Sequence, residues 1–435
     1  MTRVNVIIKV SIYLVVLQAC SANAKKQRSA VPKAKLIPSE KFYFNSFVDC
    51  NMAEAWIGDT FRIFPGKYGE DPVWGEAHDL KFADGKNADE TFTAGKEAFS
   101  NPVMPLNAKP GEKGLHGAVW FETIYQDKKD ITGKTLFAVY HNENYPATLP
   151  FNASSGEGYI DKDWPRGLTD SGSAAAVCRI GIMKSTDGGR SWANLGIFIE
   201  DLQPRMILRP HNTSVTFAGG VGDPSAVVSG NYLYLFYGEY GYKGQYKASS
   251  YNPQTEWSGQ CISVARISLD DLDSPVGKAK RWDGRLFSAP SNGIGEPVLS
   301  LQIPMAEGGG PASKAGSKFH WGPSVSWNTY LNCWVMMMAM SEGIKWEGGS
   351  IWISYNANKD LGEGNNSQQW SKPQMLLNKP GHIIWYPSLQ PTNNAFDIAN
   401  KNTCLQLGRE ARLFFKDMHS DSSEYVSEYK IMFEK

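Results

Sequence analysis

Apolar and polar residues alternate over short runs along most of this chain, and turn residues separate the runs. Other runs are apolar throughout and of strand length, such as 232–237, Tyr-Leu-Tyr-Leu-Phe-Tyr, and 334–338, Trp-Val-Met-Met-Met. Short alternating runs bounded by Gly, Asn, Asp and Pro are typical of β-strands joined by turns. No long stretch of the sequence has the period of a helix. The pattern therefore predicts an all-β fold.

A short phrase recurs where several of these strands begin, and it consists of a polar or small residue, a turn-like residue and then an apolar strand. Four copies carry it: Asp49-Cys50-Asn51-Met52-Ala53, Asp223-Pro224-Ser225-Ala226-Val227, Gly322-Pro323-Ser324-Val325-Ser326 and Tyr386-Pro387-Ser388-Leu389. The stretch 117–125 is a fifth, less regular copy. Spacings of roughly 65 to 105 residues suit four-stranded blades with long loops better than a tight solenoid. We therefore predict one five-bladed β-propeller over residues 41–435, with a two-domain β-sandwich as the rival architecture.

A tight turn at 185–192, Ser-Thr-Asp-Gly-Gly-Arg-Ser-Trp, supports the propeller. It resembles the Asp-box, a hairpin turn of sialidase-like propellers. Asp187 is expected to accept backbone N–H groups, the two glycines allow positive φ, and Trp192 is expected to plug the blade beneath. The role of this turn is structural.

The N-terminus has the features of a secretion signal. Arg3 and Lys9 precede a short apolar run that is too short to span a bilayer. The tetrapeptide at 17–20, Leu-Gln-Ala-Cys, resembles a bacterial lipobox, which implies a signal peptide over 1–19 and lipid attachment at Cys20. The alternative is an ordinary signal peptide cut after Ala24. Residues 20–40 are expected to form a flexible tether, and the resemblance to Gram-negative lipoproteins with Ser21 after the cysteine implies the outer membrane.

Composition narrows the classes of partner. Lys and Arg together number 44, and so do Asp and Glu, so the formal net charge is zero. A nucleic-acid partner is not expected, because no basic stripe is present. Five widely spaced cysteines follow Cys20, and none of them forms a Cys-x-x-Cys pair. An odd number with this spacing predicts neither a disulfide framework nor a zinc site. Each is expected to be a small buried residue. No cofactor is predicted. A propeller axis can hold a structural Ca²⁺ ion, but no ligand spacing in this sequence specifies one. We expect a monomer.

Residues that could carry chemistry lie in or near the recurring phrases. The innermost strand of each propeller blade points its first residues into a central funnel, so the phrases bring distant residues together. Hydrolysis of a glycosidic bond needs one carboxyl group to protonate the leaving oxygen and another to activate water or attack carbon. The predicted catalytic residues are Asp49, Glu122 and Asp223. The predicted substrate-binding residues are His320, Trp321, Tyr386, Trp385, His116 and His141.

Each candidate also has a structural interpretation. Asp49 and Asp223 could cap turns at strand starts, where Asp is common. Glu122 lies in an apolar strand and could face solvent, and His320 could be a satisfied structural histidine. Glu296 is a further candidate acid.

Several longer stretches carry a resemblance to a known group. The stretches 49–60, 139–143, 219–223 and 320–331 resemble little-characterised secreted bacterial proteins that are similar to five-bladed glycoside hydrolases of families 43 and 117. The resemblance implies that Asp49 is a general base and that water attacks with inversion. The family 43 pattern has an Asp in blade two and a Glu in blade three, whereas this chain has Glu122 and Asp223, so the roles of acid and pKa modulator stay open. The family 117 pattern uses a His as the acid, which would fit His320 or His116.

Three functions follow from these observations. The leading hypothesis is an extracytoplasmic glycoside hydrolase that acts on a poly- or oligosaccharide. The second is a non-catalytic glycan-binding surface lipoprotein that uses the same funnel, and the missing Asp–Asp–Glu order favours it. The third is an interaction scaffold, because propellers host many functions.

Overall fold

The computed structural model of the chain describes residues 31–44, 48–69, 80–97, 99–106, 108, 114–144, 151–152, 157–158, 176–200, 217–239, 261–293, 295–309, 316–342, 346–362, 367–419 and 422–435. Its first strand is β1 (Lys33–Phe44). Blade 1 follows and consists of the strands β2 (Glu54–Ile57), β3 (Thr60–Ile63) and β5 (Ala83–Gly85), with α1 (Ala88–Glu97) after them; β4 (Lys67–Gly69) leaves this blade and pairs with the next one.

Blades 2 and 3 share one hydrogen-bonded sheet. Blade 2 consists of β6 (Ala118–Gln126), β7 (Leu136–Asn144), β10 (Ala176–Ser185) and β11 (Ala193–Ile199), and the small pair β8 (Phe151–Asn152) and β9 (Glu157–Gly158) lies between its strands in sequence. Blade 3 consists of β12 (Phe217–Ser229), β13 (Tyr232–Glu239), β14 (Cys261–Ser268), β15 (Lys280–Trp282) and β16 (Phe287–Pro290). The two blades join where β10 and β12 run parallel, with Cys178 opposite Gly220.

Blades 4 and 5 complete the ring. Three single-turn 3₁₀ segments precede blade 4, at Leu269–Asp271, Leu299–Leu301 and Met305–Glu307. Blade 4 consists of β17 (Lys318–Asn328), β18 (Cys333–Glu342), β19 (Ser350–Asn356) and β20 (Gln374–Asn378), with β22 (Gln406–Leu407) alongside β17. Blade 5 consists of β21 (Ile383–Gln390), β23 (Glu410–His419) and β24 (Ser422–Glu434), and α2 (Ala395–Ala399) follows β21.

The blades are arranged in chain order around one axis. The inner strand β6 contacts β2 on one side and β12 on the other, and β17 likewise contacts β12 and β21. Blade 5 closes onto blade 1, where the Trp56 indole N–H donates to the Asn402 carbonyl at 2.9 Å. The five-bladed β-propeller predicted from the recurring phrases is confirmed, and the rival β-sandwich is wrong.

The first described strand corrects the predicted domain boundary. Residues 33–40 were expected to belong to the tether, but β1 pairs along its length with β24, from Lys33 opposite Glu434 onwards, as the outermost strand of blade 5. Ala34 and Leu36 pack against the blade core while their neighbours face outward. This period-two burial is what holds the segment in a sheet, so the propeller begins at Lys33. The predicted signal peptide, Cys20 and the alternative cleavage site lie outside the described residues.

The recurring phrase corresponds to a β-bulge. Asp223, Gly322 and Tyr386 each precede a proline and have positive φ angles of 48°, 56° and 49°. The pairing of each inner strand with its neighbour shifts register at that residue, and β6 shifts register at Glu122. A bulge re-aims one side chain and tightens the local twist. The bulges therefore redirect the side chains of Glu122, Asp223 and Tyr386 on three of the inner strands.

The turn at Asp187 forms the contacts predicted for it. One Asp187 oxygen accepts the backbone N–H groups of Arg190 at 2.9 Å and Ser191 at 3.0 Å. Gly188 and Gly189 have φ angles of 78° and 87°. Trp192 is buried, and its ring packs edge-on against Phe64 and Phe121. The turn therefore seals the junction between blades 1 and 2.

The five cysteines within the described residues are free thiols and all are buried, as predicted: Cys50, Cys178, Cys261, Cys333 and Cys404. No helix in the described part of the chain is long and apolar enough to cross a membrane.

Candidate active site on the propeller axis

Glu122 is held by the blade beside it. The backbone N–H of Asn51 donates to Glu122 Oε2 at 2.8 Å, and the Asn51 side-chain amide donates to the same oxygen at 3.1 Å. The Glu122 side chain has no exposed surface. Its other oxygen, Oε1, is buried and has no hydrogen-bond partner among the described residues. Burial first, and the nearby Asp223 charge second, raise the pKa of Glu122 well above its usual range despite the Asn51 hydrogen bonds.

His141 lies between the acidic groups of blades 2 and 3. Its Nδ1 is 3.1 Å from Asp223 Oδ1 and 3.9 Å from Glu122 Oε1, and its Nε2 is 4.0 Å from Glu143 Oε1. Burial lowers the pKa of His141, but the charge and hydrogen bond of Asp223 and the charge of Glu143 outweigh it, so the pKa is raised. The backbone N–H of Asp223 also approaches Nδ1, at 3.3 Å. The shorter, charge-assisted contact assigns the Nδ1 proton as a donor to Asp223.

The bulge residues of blades 3 and 5 meet over this histidine. The Tyr386 hydroxyl donates to Asp223 Oδ1 at 3.3 Å. Both residues have left-handed backbones, which costs non-glycine residues of order 1–3 kcal/mol and concentrates at functional sites. The strained bulges therefore aim an acidic and a phenolic group at one point on the axis.

Asp49 is the most accessible of the predicted catalytic carboxylates. Its side chain is 22% exposed, and its Oδ1 accepts from the Lys416 ammonium group at 2.8 Å. Lys416 lies 5.1 Å from the centre of the Trp385 ring. A carboxylate, an ammonium group and an indole face thus lie together at the junction of blades 1 and 5.

The aromatic candidates form one group on the blade 5 side of the axis. The Trp321 ring meets Trp385 and Tyr386 edge-on, at centroid distances of 5.7 Å and 5.3 Å. The indole N–H groups of Trp321 and of Trp120 are buried and have no hydrogen-bond partner in the part of the chain that the structure describes. Buried polar atoms in this state are rare in native proteins and call for a structural or functional explanation.

One predicted histidine, His320, does not join the carboxylates. His320 was expected at the funnel, but it lies on the other face of β17, where its Nδ1 is 2.7 Å from the Leu301 carbonyl and its ring packs on Trp352. Burial lowers the pKa of His320 to about 4. Successive strand residues face opposite sides, so Trp321 points towards the axis and the neighbouring His320 points away from it. His116 is buried, and its backbone carbonyl accepts from Asn142.

Two overlapping groups have metal-ligand character, and both contain His141. In each, the ligand atoms of the three residues lie within 4.8 Å of one another: Glu122, His141 and Asp223 in one group, and His141, Glu143 and Cys178 in the other. Ca²⁺ prefers oxygen ligands alone. The imidazole in both groups and the thiol in one of them are therefore a poor match for a Ca²⁺ ion.

Two cavities lined by described residues lie away from these carboxylates. A cavity of about 630 Å³ opens at the far ends of the inner strands, beside Gln126, Ser229 and Trp327. A second, of about 330 Å³, lies on blade 4 beside His320 and Trp352. Neither of these two cavities is lined by Asp49, Glu122 or Asp223.

Two residues of the cluster were not singled out from the sequence. Asn51 stands inside the first recurring phrase, but only the fold shows that it binds Glu122. Lys416 follows the apolar pair at 414–415 in a strand of blade 5. A lysine embedded in an apolar strand is a signal for a buried ion pair, since Lys is almost never fully buried unless it is paired.

No protein-family model matches this sequence, and no curated protein matches it. Solved structures with a similar chain course include an α-L-arabinofuranosidase from Lactobacillus brevis, at 9% identity and a TM-score of 0.46, covering 88% of this chain and 92% of that one. An arabinanase from Bacillus subtilis is similar at 8% identity and a TM-score of 0.40, covering 90% and 95%. The catalytic domain of a family 62 α-L-arabinofuranosidase from Coprinopsis cinerea is similar at 9% identity and a TM-score of 0.41, covering 91% and 98%.

Proposed function

We propose that this protein hydrolyses glycosidic bonds of a poly- or oligosaccharide, with Asp49 and Glu122 as its acid and base. The observation that carries the proposal is that the two carboxyl groups lie in opposite environments on one axis. Asp49 is partly exposed beside the Lys416 ammonium group, whereas Glu122 is fully buried with a raised pKa. Two carboxyl groups in contrasting environments divide the roles of acid and base.

The reaction follows from these two states. Glu122 keeps its proton and supplies it to the leaving glycosidic oxygen as the bond from that oxygen to the anomeric carbon breaks. Asp49, paired with the Lys416 ammonium group, takes a proton from the water molecule that attacks the same carbon. Asp223 and His141 act on Glu122 through charge. The exposed part of the Trp385 ring, next to Lys416, offers a surface on which a sugar ring can stack.

The test is release of reducing sugar from a broad panel of pentose and hexose polysaccharides. We expect the wild-type protein to act on at least one member and the Asp49→Asn variant to be inactive on it. Full activity in a folded Asp49→Asn protein would refute the assignment of the base. No turnover on any member, together with saturable binding, would favour the second candidate.

The second candidate is a glycan-binding protein without catalysis, and burial favours it. The side chains of Glu122 and Asp223 are 0% and 1% exposed, so the groups that a ligand reaches first are those around Asp49. Under this proposal Asp49, Lys416 and Trp385 bind sugar hydroxyl groups and rings. Replacing Trp385 with Ala would then weaken glycan binding, and no substrate would be cleaved.

We also propose export and lipid attachment at Cys20, followed by sorting to the outer membrane of a Gram-negative cell. The support is the basic start, the short apolar run and the lipobox-like tetrapeptide at 17–20. Expression with radiolabelled palmitate should label the wild-type protein and leave Cys20→Ala unlabelled. A protein that begins at Lys25 and carries no label would instead establish cleavage after Ala24.

A further inference from the structure

Three potential metal ligands project from one face of blade 2, beside the axial cluster. His141 and Glu143 are two residues apart on β7, and Cys178 of β10 pairs directly with Glu143. Residues two apart on a strand share a face, and so do directly paired residues on neighbouring strands. One ligand atom from each of the three lies within 4.8 Å of the others. The sheet itself therefore assembles an imidazole, a carboxylate and a thiol around one point.

The histidine ring is oriented from its other side. Its Nδ1 is 3.1 Å from Asp223 Oδ1, while Nε2 faces Glu143. A histidine that binds a metal through one nitrogen usually donates the other N–H to a carboxylate or a carbonyl, which sets its tautomer and raises its basicity. Asp223 occupies this outer position for a metal on Nε2.

The charges around His141 also favour a cation. Carboxyl groups of Glu143 and Asp223 approach a single imidazole within 4.0 Å, one from each side of the ring. The Cys178 thiol is buried next to them. A divalent ion would offset the negative charge and stabilise the thiolate.

We propose that His141 Nε2, Glu143 and Cys178 bind a Zn²⁺ ion between blades 2 and 3. Zn²⁺ takes nitrogen, sulfur and carboxylate ligands together, whereas Ca²⁺ and Mg²⁺ prefer oxygen ligands alone. On binding, the Cys178 thiol and the Nε2 position each release a proton to solvent as the Zn–S and Zn–N bonds form. The Glu143 side chain is 10% exposed, which makes it the ligand nearest solvent. The site does not depend on the proposed hydrolysis.

The first experiment measures zinc bound by the full-length protein. The protein is stripped with a chelator, dialysed and titrated with Zn²⁺, and bound metal is counted by mass spectrometry. We expect about one ion per chain in the wild type. Cys178→Ser and Glu143→Gln should each weaken binding by more than the roughly 10- to 100-fold that loss of an outer-shell partner costs. Cys333→Ser is the matched control, because Cys333 is a buried thiol in blade 4, and it should bind as the wild type does.

A second measurement locates the ion. Co²⁺ in place of Zn²⁺ should give thiolate-to-metal charge-transfer absorption in the wild type and in Cys333→Ser, and none in Cys178→Ser. Glu143→Gln keeps the thiol, so it supports the site if Cys178→Ser fails to fold. The proposal is overturned if the stripped wild type takes up no zinc. It is also overturned if zinc binds without a thiolate band and is lost in Asp223→Asn or Glu122→Gln, since the ion would then occupy the axial group.

Discussion

Asn51 of blade 1 donates two hydrogen bonds to one oxygen of Glu122 in blade 2, and so directs the other oxygen towards His141. The two donors are the backbone N–H, at 2.8 Å, and the side-chain amide, at 3.1 Å. The free oxygen lies 3.9 Å from His141 Nδ1. This contact joins residues 71 positions apart and sets the orientation of the buried carboxyl group. The first two predictions concern the roles of the buried Glu122 and the partly exposed Asp49.

The Asp49→Asn variant should lose catalysis and keep its fold. Asn has the same shape but cannot take a proton from water, and a positioned general base contributes about 10²–10⁴-fold in rate. We expect the rate of reducing-sugar release to fall by at least about 100-fold, with an unchanged far-ultraviolet circular dichroism spectrum.

Asp59→Asn is the control for this change. Asp59 lies in the exposed turn between two strands of the same blade, where it pairs with Lys401. Its variant should keep wild-type activity. Equal loss of activity in both variants would point to a general effect on blade 1 instead of a role for Asp49.

Glu122→Gln should change how stability depends on pH. The raised pKa means that the folded state binds the Glu122 proton more tightly than the unfolded chain, whose glutamate titrates at about 4.3. Wild-type stability therefore falls as the pH rises from that value through the folded-state pKa. Gln cannot ionise, so its stability does not fall in this way. The stability of the variant relative to the wild type should therefore increase between about pH 4 and about pH 8.

The urea midpoints of the wild type and Glu122→Gln, determined between about pH 4 and about pH 8, measure this change in relative stability. A difference between the midpoints that does not vary with pH would show that folding does not shift the pKa of Glu122, which contradicts the prediction. The same substitution should reduce hydrolysis by about 10²–10⁴-fold, because it removes the proton donor.

Asp187→Ala should destabilise the junction of blades 1 and 2 without altering the axial site. The change leaves the N–H groups of Arg190 and Ser191 without their acceptor, which costs roughly 1–3 kcal/mol for a buried donor and less where water reaches it. Burial raises the pKa of Asp187, but hydrogen bonds from Ser191, Ser185 and Arg190 outweigh it, so the pKa is lowered. The stabilisation is therefore present above the unfolded-state value of about 3.9 and is lost as the pH falls below it.

Chemical denaturation of the wild type and of Asp187→Ala at neutral and acidic pH measures this loss of stability and its dependence on pH. The two curves should converge on acidification, while activity per folded molecule stays at the wild-type level. A variant that is inactive although folded would contradict a purely structural role.

Gly181→Ala should disrupt blade 2. Gly181 lies opposite Tyr140 in the paired strands, and a Cβ atom at position 181 would overlap the buried Tyr140 ring. Overpacking of this kind costs typically about 1–3 kcal/mol. We expect a lower urea midpoint in Gly181→Ala, and partial recovery when Tyr140→Leu is added to it. A strictly additive double variant would show that the two positions do not interact.

Much of the fold was predictable because propeller blades are local in sequence. The phrases at Asp223, Gly322 and Tyr386 each combine a turn-prone position, a proline and an apolar run, and all three form bulged inner strands. The end of the tether was not predictable. Polar and small residues hid the strand at Lys33–Phe44, and its partner β24 lies at the opposite end of the chain.

The candidate site was predictable only in part. Strand starts identify Asp49, Glu122 and Asp223, since the inner strands of a propeller converge on one axis. The direction in which each side chain points depends on the register after each bulge, and a shift of one residue exchanges the two faces of a strand. That is why Trp321 faces the axis and His320 does not.

The sequence alone determined the class of fold, the number of blades and the acidic residues available to the axis, because period-two alternation and turn chemistry act over a few neighbouring residues. Only the tertiary structure decided which of those groups meet. The Asn51–Glu122, His141–Asp223 and Asp49–Lys416 contacts each join different blades or distant strands. Their protonation states follow from burial and neighbouring charge, which exist only once the ring of blades has closed.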